Sequence, residues 1–108
     1  MIISRTNIQK IGTKISSYIG FAIRSNHVVY GVDNITAYKK KLPLLLVSAG
    51  ISDGSRDKID RLADSRECPI YYLEAGLLED YVHRTGVKAI AILDTSLAVA
   101  IINCISSL

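Results

Sequence analysis

Reactive and metal-ligating side chains are scarce in this 108-residue chain, which has two cysteines and two histidines. Cys68 and Cys104 lie far apart, with no CxxC pair and no Cys/His run at ligand spacing, so neither a disulfide framework nor a zinc site has support. Two reduced, buried thiols are the expectation. His27 and His83 stand in no Ser/His/Asp or Cys/His arrangement, and the chain is expected not to be an enzyme. No GxGxxG or Walker-type run accompanies Gly31, so no cofactor is expected. Long apolar runs are missing too. The stretches Leu42 to Ile51 and Ala89 to Leu93 fall well short of the roughly 20 residues of a membrane span, and Arg5, Lys10 and Lys14 interrupt the beginning before a signal-peptide core develops. These absences lead to the expectation of a cytoplasmic protein with no membrane partner.

What is present is a hydrophobic content of 49%, enough for one core in a chain of this size, so residues 1–108 read as a single domain without repeats, linkers or low-complexity segments. Acidic residues are nearly absent from the first part. Residues 1–41 hold seven basic side chains against Asp33 alone, a balance of +6, while residues 42–108 hold six basic and nine acidic, a balance of −3. Such asymmetry favours an anionic partner near the first part over an evenly solvated surface.

Thr6-Asn7-Ile8-Gln9 has the form of a capping box, and Ile8, Ile11, Ile15, Ile19, Ala22 and Ile23 recur at helical spacing, which predicts a long first helix. Ser25-Asn26-His27 ends it, Val28-Val29-Tyr30 is a short strand, and a helix over 32–40 follows Gly31, stopped before Pro43. The continuous run Leu44 to Val47 predicts a central strand buried on both faces. A third helix around Ile59, Leu62 and Ala63, capped by Ser52 or Asp53, leads to the strand Ile70 to Leu73. A short fourth helix with Leu77, Leu78, Tyr81 and Val82 closes at Thr85-Gly86. Ala89 to Leu93 forms a buried strand, and Asp94 or Thr95 caps a last helix. The order α-β-α-β-α-β-α-β-α predicts an α/β fold, a three-layer α/β/α sandwich with a four-stranded mixed sheet.

The stretch Gly20 to Asn34 carries the main functional signal. A helix that starts at Gly31 exposes unsatisfied N–H groups with no bulky side chain in front of them, and Asp33 and Asn34 add polar groups to the same surface. On the third helix, Asp57, Asp60, Asp64 and Glu67 form an acidic stripe that reads as a solvated face paired with Arg56, Lys58 and Arg61, not as a metal site. Alternation sends one of Tyr71 and Tyr72 into a helical layer as core.

Several separated segments together resemble the large-subunit ribosomal protein seven-Ae and thirty-e superfamily, in particular its short bacterial members that bind kink-turn RNA. Their GLAxRAGxLVxG pattern is similar to Gly20-Phe21-Ala22-Ile23-Arg24-Ser25-Asn26-His27-Val28-Val29-Tyr30-Gly31. The LVLLA-type strand is matched by Leu44-Leu45-Leu46-Val47-Ser48, and the D-x-S-x-N-T-x-x-K loop and helix start by residues Ile51 to Lys58. Pro69-Ile70-Tyr71-Tyr72, Gly76-Leu77-Leu78 and Ala89-Ile90-Ala91-Ile92 match later segments in order, so the resemblance runs from about Ile8 to Ile105.

The resemblance implies a non-catalytic protein that binds structured, kink-turn-like RNA, such as ribosomal RNA or a riboswitch kink-turn, and a place on or near the ribosome. In the family a G-x-N-E-x-x-K helix start reads sheared G·A pairs, and a loop before the fourth strand supports flipped bases. Carried over, the RNA-binding set is Arg24, His27, Gly31, Val32, Asp33, Asn34, Lys39, Lys40, Lys41, Thr85, Gly86, Val87 and Lys88. The chain departs from the family pattern: Asp33 stands at the Asn position, Asn34 at the Glu position and Ala37 at the Lys position, and Ala49-Gly50 stands where an acidic pair often follows the central strand. Those departures favour an alternative, a same-fold protein interaction module that has lost kink-turn recognition and contacts a protein partner.

Overall fold

A computed structural model describes residues 7–8 and 13–106. Its elements in chain order are β1 (Asn7–Ile8), α1 (Thr13–Arg24), β2 (Val28–Tyr30), α2 (Val32–Ala37), β3 (Leu44–Ser48), α3 (Asp53–Arg66), β4 (Ile70–Leu73), α4 (Leu77–Val82), β5 (Ala89–Ile92) and α5 (Thr95–Ser106). The strands form one mixed sheet in the order β1-β4-β3-β5-β2. β3 is central, as its unbroken apolar run predicts, and all five of its residues are buried.

Strand alternation sorts the core into two layers. Leu44 and Leu46 of β3, Leu73 of β4 and Ile90 and Ile92 of β5 face one side, where Ile15, Ile19, Leu78, Ala98 and Ile101 of α1, α4 and α5 cover them. Leu45, Val47, Ile70, Tyr72, Ala89 and Ala91 face the other, under Ile35 of α2 and Ile59 and Ala63 of α3. The molecule is thus a three-layer α/β/α sandwich. Tyr72 is the tyrosine driven fully into a helical layer, while Tyr71 is half-buried on the opposite face.

Three sequence expectations change. The sheet has a fifth strand, because Asn7–Ile8 pairs in parallel with Tyr72 and Leu73 at its edge. Those two residues are therefore not the start of a helix; α1 begins at Thr13, and Thr6 and Gln9 of the expected capping box lie outside the described residues. α2 stops at Ala37 rather than Lys40, because the Arg66 guanidinium, reaching from α3, donates to the carbonyls of Tyr38 at 2.6 Å and Thr36 at 3.3 Å. At the ends of α1 and α3 the chain turns through left-handed residues, Asn26 (φ 61°) and Glu67 (φ 51°), each followed by a backbone N–H that bonds back into the last turn.

Direction within the sheet fixes where the loops go. β1, β4 and β3 run in parallel, whereas β5 is antiparallel to both β3 and β2. The carboxyl ends of β2, β3 and β4 therefore share one rim with the start of β5, and the amino ends of α2, α3 and α4 follow directly from it. The opposite, amino rim collects the starts of β2, β3 and β4, the end of β5 and the start of α5. Among the described residues no helix is long and apolar enough to cross a membrane.

Candidate nucleic-acid interface

Gly31 is the N-cap of α2, with φ 88° and ψ 147°, a conformation that any residue with a Cβ adopts only under strain. No side chain caps this helix start. The Gly31 N–H donates to the carbonyl of Ala89 at 2.9 Å, so the start of α2 is fastened to the residue that follows the loop Thr85 to Lys88. Here the sheet brings together two segments that the sequence placed 54 positions apart by numbering, Gly31 and Thr85.

The loop itself is held from α4. Glu79 accepts from the Gly86 N–H at 2.9 Å and from Lys88 Nζ at 3.2 Å. That backbone donor first, and then the Lys88 ammonium, hold the Glu79 carboxyl below the usual glutamate range. Lys88 also lies near Gly50, where an added Cβ would stand 4.0 Å from its Nζ and 3.3 Å from the Ala75 Cβ, so the turns after β3 and β4 close in on the same spot. Beside it, the Arg84 guanidinium lies 4.0 Å over the ring centre of Tyr30, the residue before Gly31. Arg84 also lines a groove of about 410 Å³ with Gly76, Glu79, Asp80, His83 and Thr85.

The polar side chains of α2 are engaged locally. The Asn34 amide donates to the Tyr30 carbonyl at 2.9 Å, and Asp33 pairs with Lys58 of α3 at 3.4 Å. Lys58 thus leaves the acidic stripe it was expected to serve. On that stripe Arg61 meets Asp57 at 4.0 Å, Asp60 accepts from the Tyr72 hydroxyl, and Arg56 covers the Tyr72 ring at 4.3 Å. Among the described residues no cluster of His, Cys, Asp and Glu could hold a metal ion.

The thirteen residues expected to bind RNA divide between the rims. Gly31, Val32, Asp33 and Asn34 stand at the carboxyl rim with Thr85, Gly86, Val87 and Lys88. Lys39, Lys40 and Lys41 follow α2 to the amino rim, where Arg24 ends α1 and where the His27 carbonyl accepts from the Leu93 N–H at 2.8 Å. A five-residue strand at about 3.3 Å per residue separates the two groups by roughly 15 Å. Arg84 and Tyr30 were missed in the sequence because their stacking depends on the β2–β5 pairing; the signal available was only that each directly precedes a singled-out residue, Gly31 or Thr85.

No family model matches the chain, and no curated protein matches it. Among solved structures it is similar to a protein of unknown function from Bacillus halodurans, with a TM-score of 0.75 and 16% identity over 88% of this chain and 99% of that chain. A likeness at that identity establishes the architecture alone.

Proposed function

We propose that the protein is a non-catalytic RNA-binding protein that docks its carboxyl rim, centred on Gly31, against structured RNA of the kinked type. The observation that carries this reading is the Gly31–Ala89 hydrogen bond, which sets the uncapped start of α2 beside the loop Thr85 to Lys88. A kink exposes base edges that a regular A-form groove hides, and a helix start flanked by a loop offers N–H groups to the backbone and a surface to unstacked bases. Arg84 and Tyr30 add a guanidinium plane of the kind on which a splayed base stacks.

A protein interaction module of the same fold is the second reading. It is favoured by the engagement of the Asn34 amide with Tyr30 and of Asp33 with Lys58, which leaves the base-reading positions turned to intramolecular partners.

Binding to a kink-turn RNA and to a straight duplex across a salt series separates the two. Docking at the carboxyl rim gives a preference for the kinked RNA that persists at moderate salt. Arg84→Ala then weakens that binding by roughly 0.5–2 kcal/mol. The triple change of Lys39, Lys40 and Lys41 to Ala leaves the salt slope nearly unchanged, since those lysines stand at the other rim, roughly 15 Å from the docking surface and beyond a Debye length of about 8–10 Å. Equal, steeply salt-dependent binding to both RNAs rejects kink recognition, and no binding at low salt rejects RNA altogether.

A further inference from the structure

We infer that the amino rim carries a docking groove for an acidic, apolar-faced segment of a partner protein. The groove, of about 290 Å³, lies between the residues that enter β3 and β4 and the exposed flank of α5. Leu42, Pro43 and Pro69 line it on one side and Ala98, Val99 and Ile102 on the other. Val99 is 51% exposed, one of two large apolar side chains so exposed among the described residues.

Charge complementarity selects the occupant. Lys41 and Arg66 flank the groove, and Lys39 and Lys40 continue the positive surface from Lys41. The three lysines are exposed and make no ion pair among the described residues. α5 begins at the groove with Thr95, but the Asp94 carboxylate already meets the positive end of that helix, so the attraction rests on the side-chain cations alone. Two carboxylates oppose them: Asp94 accepts from the Leu97 N–H at 3.0 Å as the cap of α5, and Glu67 lines the groove beside Arg66. The lysines outnumber them, so an acidic ligand is attracted and a basic one repelled.

The lining decides between protein and nucleic acid. Among the described residues no aromatic side chain lines the groove to stack a base, and its walls are mainly aliphatic. Pro43 and Pro69 offer no N–H, so an added strand finds no donor there. What fits is an amphipathic segment that lays aliphatic side chains against Val99 and Ile102 and sets carboxylates toward Lys39 to Lys41. This site does not rest on the RNA reading, whose surface is the opposite rim; it gives the protein-interaction reading a place.

The test is selection of a displayed library of random 12-residue peptides on the full chain, with counter-selection on Val99→Asp, an exposed position whose change leaves the core intact. The expected outcome is enrichment of acidic peptides with paired aliphatic residues. A synthetic representative then binds at least tenfold more weakly to Val99→Asp and to the triple charge reversal K39E/K40E/K41E, and equally well to Arg84→Ala. Amide shift changes in the unaltered protein cluster on residues 41–42, 66–68 and 95–102. The inference is overturned by a selection without acidic enrichment or by shift changes centred on the Gly31 rim. It is equally overturned if the charge reversal abolishes RNA binding while no peptide is enriched, because the lysines then serve nucleic acid.

Discussion

Glu79 grips the loop before β5 with both carboxylate oxygens, one on the Gly86 N–H and one on Lys88. Both donors favour the ionised form, so the folded carboxyl titrates below the ordinary glutamate value of about 4.3. A lowered folded pKa contributes stability above the ordinary value that is lost as pH falls through the folded one. The Gly86 amide shift is therefore expected to move with a midpoint below about 4.3 in an NMR titration, and Glu79→Gln to abolish that step. Cys68 shifts the other way. Burial pushes its thiol up to about 12, with Arg66 opposing. Its contribution to stability is present below the ordinary thiol pKa of about 8.5 and fades as pH rises toward the folded value. At neutral pH a maleimide reagent is expected to label half-buried Cys104 in the native protein and Cys68 only after unfolding.

At the scale of the element, α2 is six residues with one buried side chain, Ile35, and it depends on both of its ends. Gly31 begins it at positive φ with open space where a Cβ would go, so Gly31→Ala meets no clash and the whole cost is backbone strain. Chemical denaturation is expected to show a loss of about 1–3 kcal/mol. The far end depends on Arg66, 28 positions from Tyr38 in sequence. That distance explains why the pattern of residues 32–40 overstated the helix, since its stop is tertiary rather than local. β3 and β5 were legible because double-sided burial writes an uninterrupted apolar run. β1 was not, because two residues carry no periodicity, and Asn7-Ile8 beside Thr6 and Gln9 imitates a capping signal.

Across the whole molecule, the sandwich and its central strand could be read from the order of elements, whereas the division of the basic residues could not. Lys39 to Lys41 follow the Gly31 helix in sequence, but which rim they reach depends on strand direction, and nothing in the Ala89 to Ile92 run announces that β5 is reversed. The charge asymmetry of the first 41 residues thus spreads over two surfaces, with Arg84 and Lys88 of the second part joining the Gly31 rim.

The reversed strand also has a consequence for assembly. β5 is the last strand in the chain, yet it lies between β3 and β2, with Val28 opposite Ile92 and Leu44 opposite Ile92 on its two sides. Until residues 89–92 have been made, β2 has no partner and the central strand is open along one edge. A fragment ending at Lys88 is expected to lack a cooperative thermal transition by circular dichroism, and to regain one when a peptide covering residues 89–106 is added. The sheet closes like a keystone arch, from its middle and last.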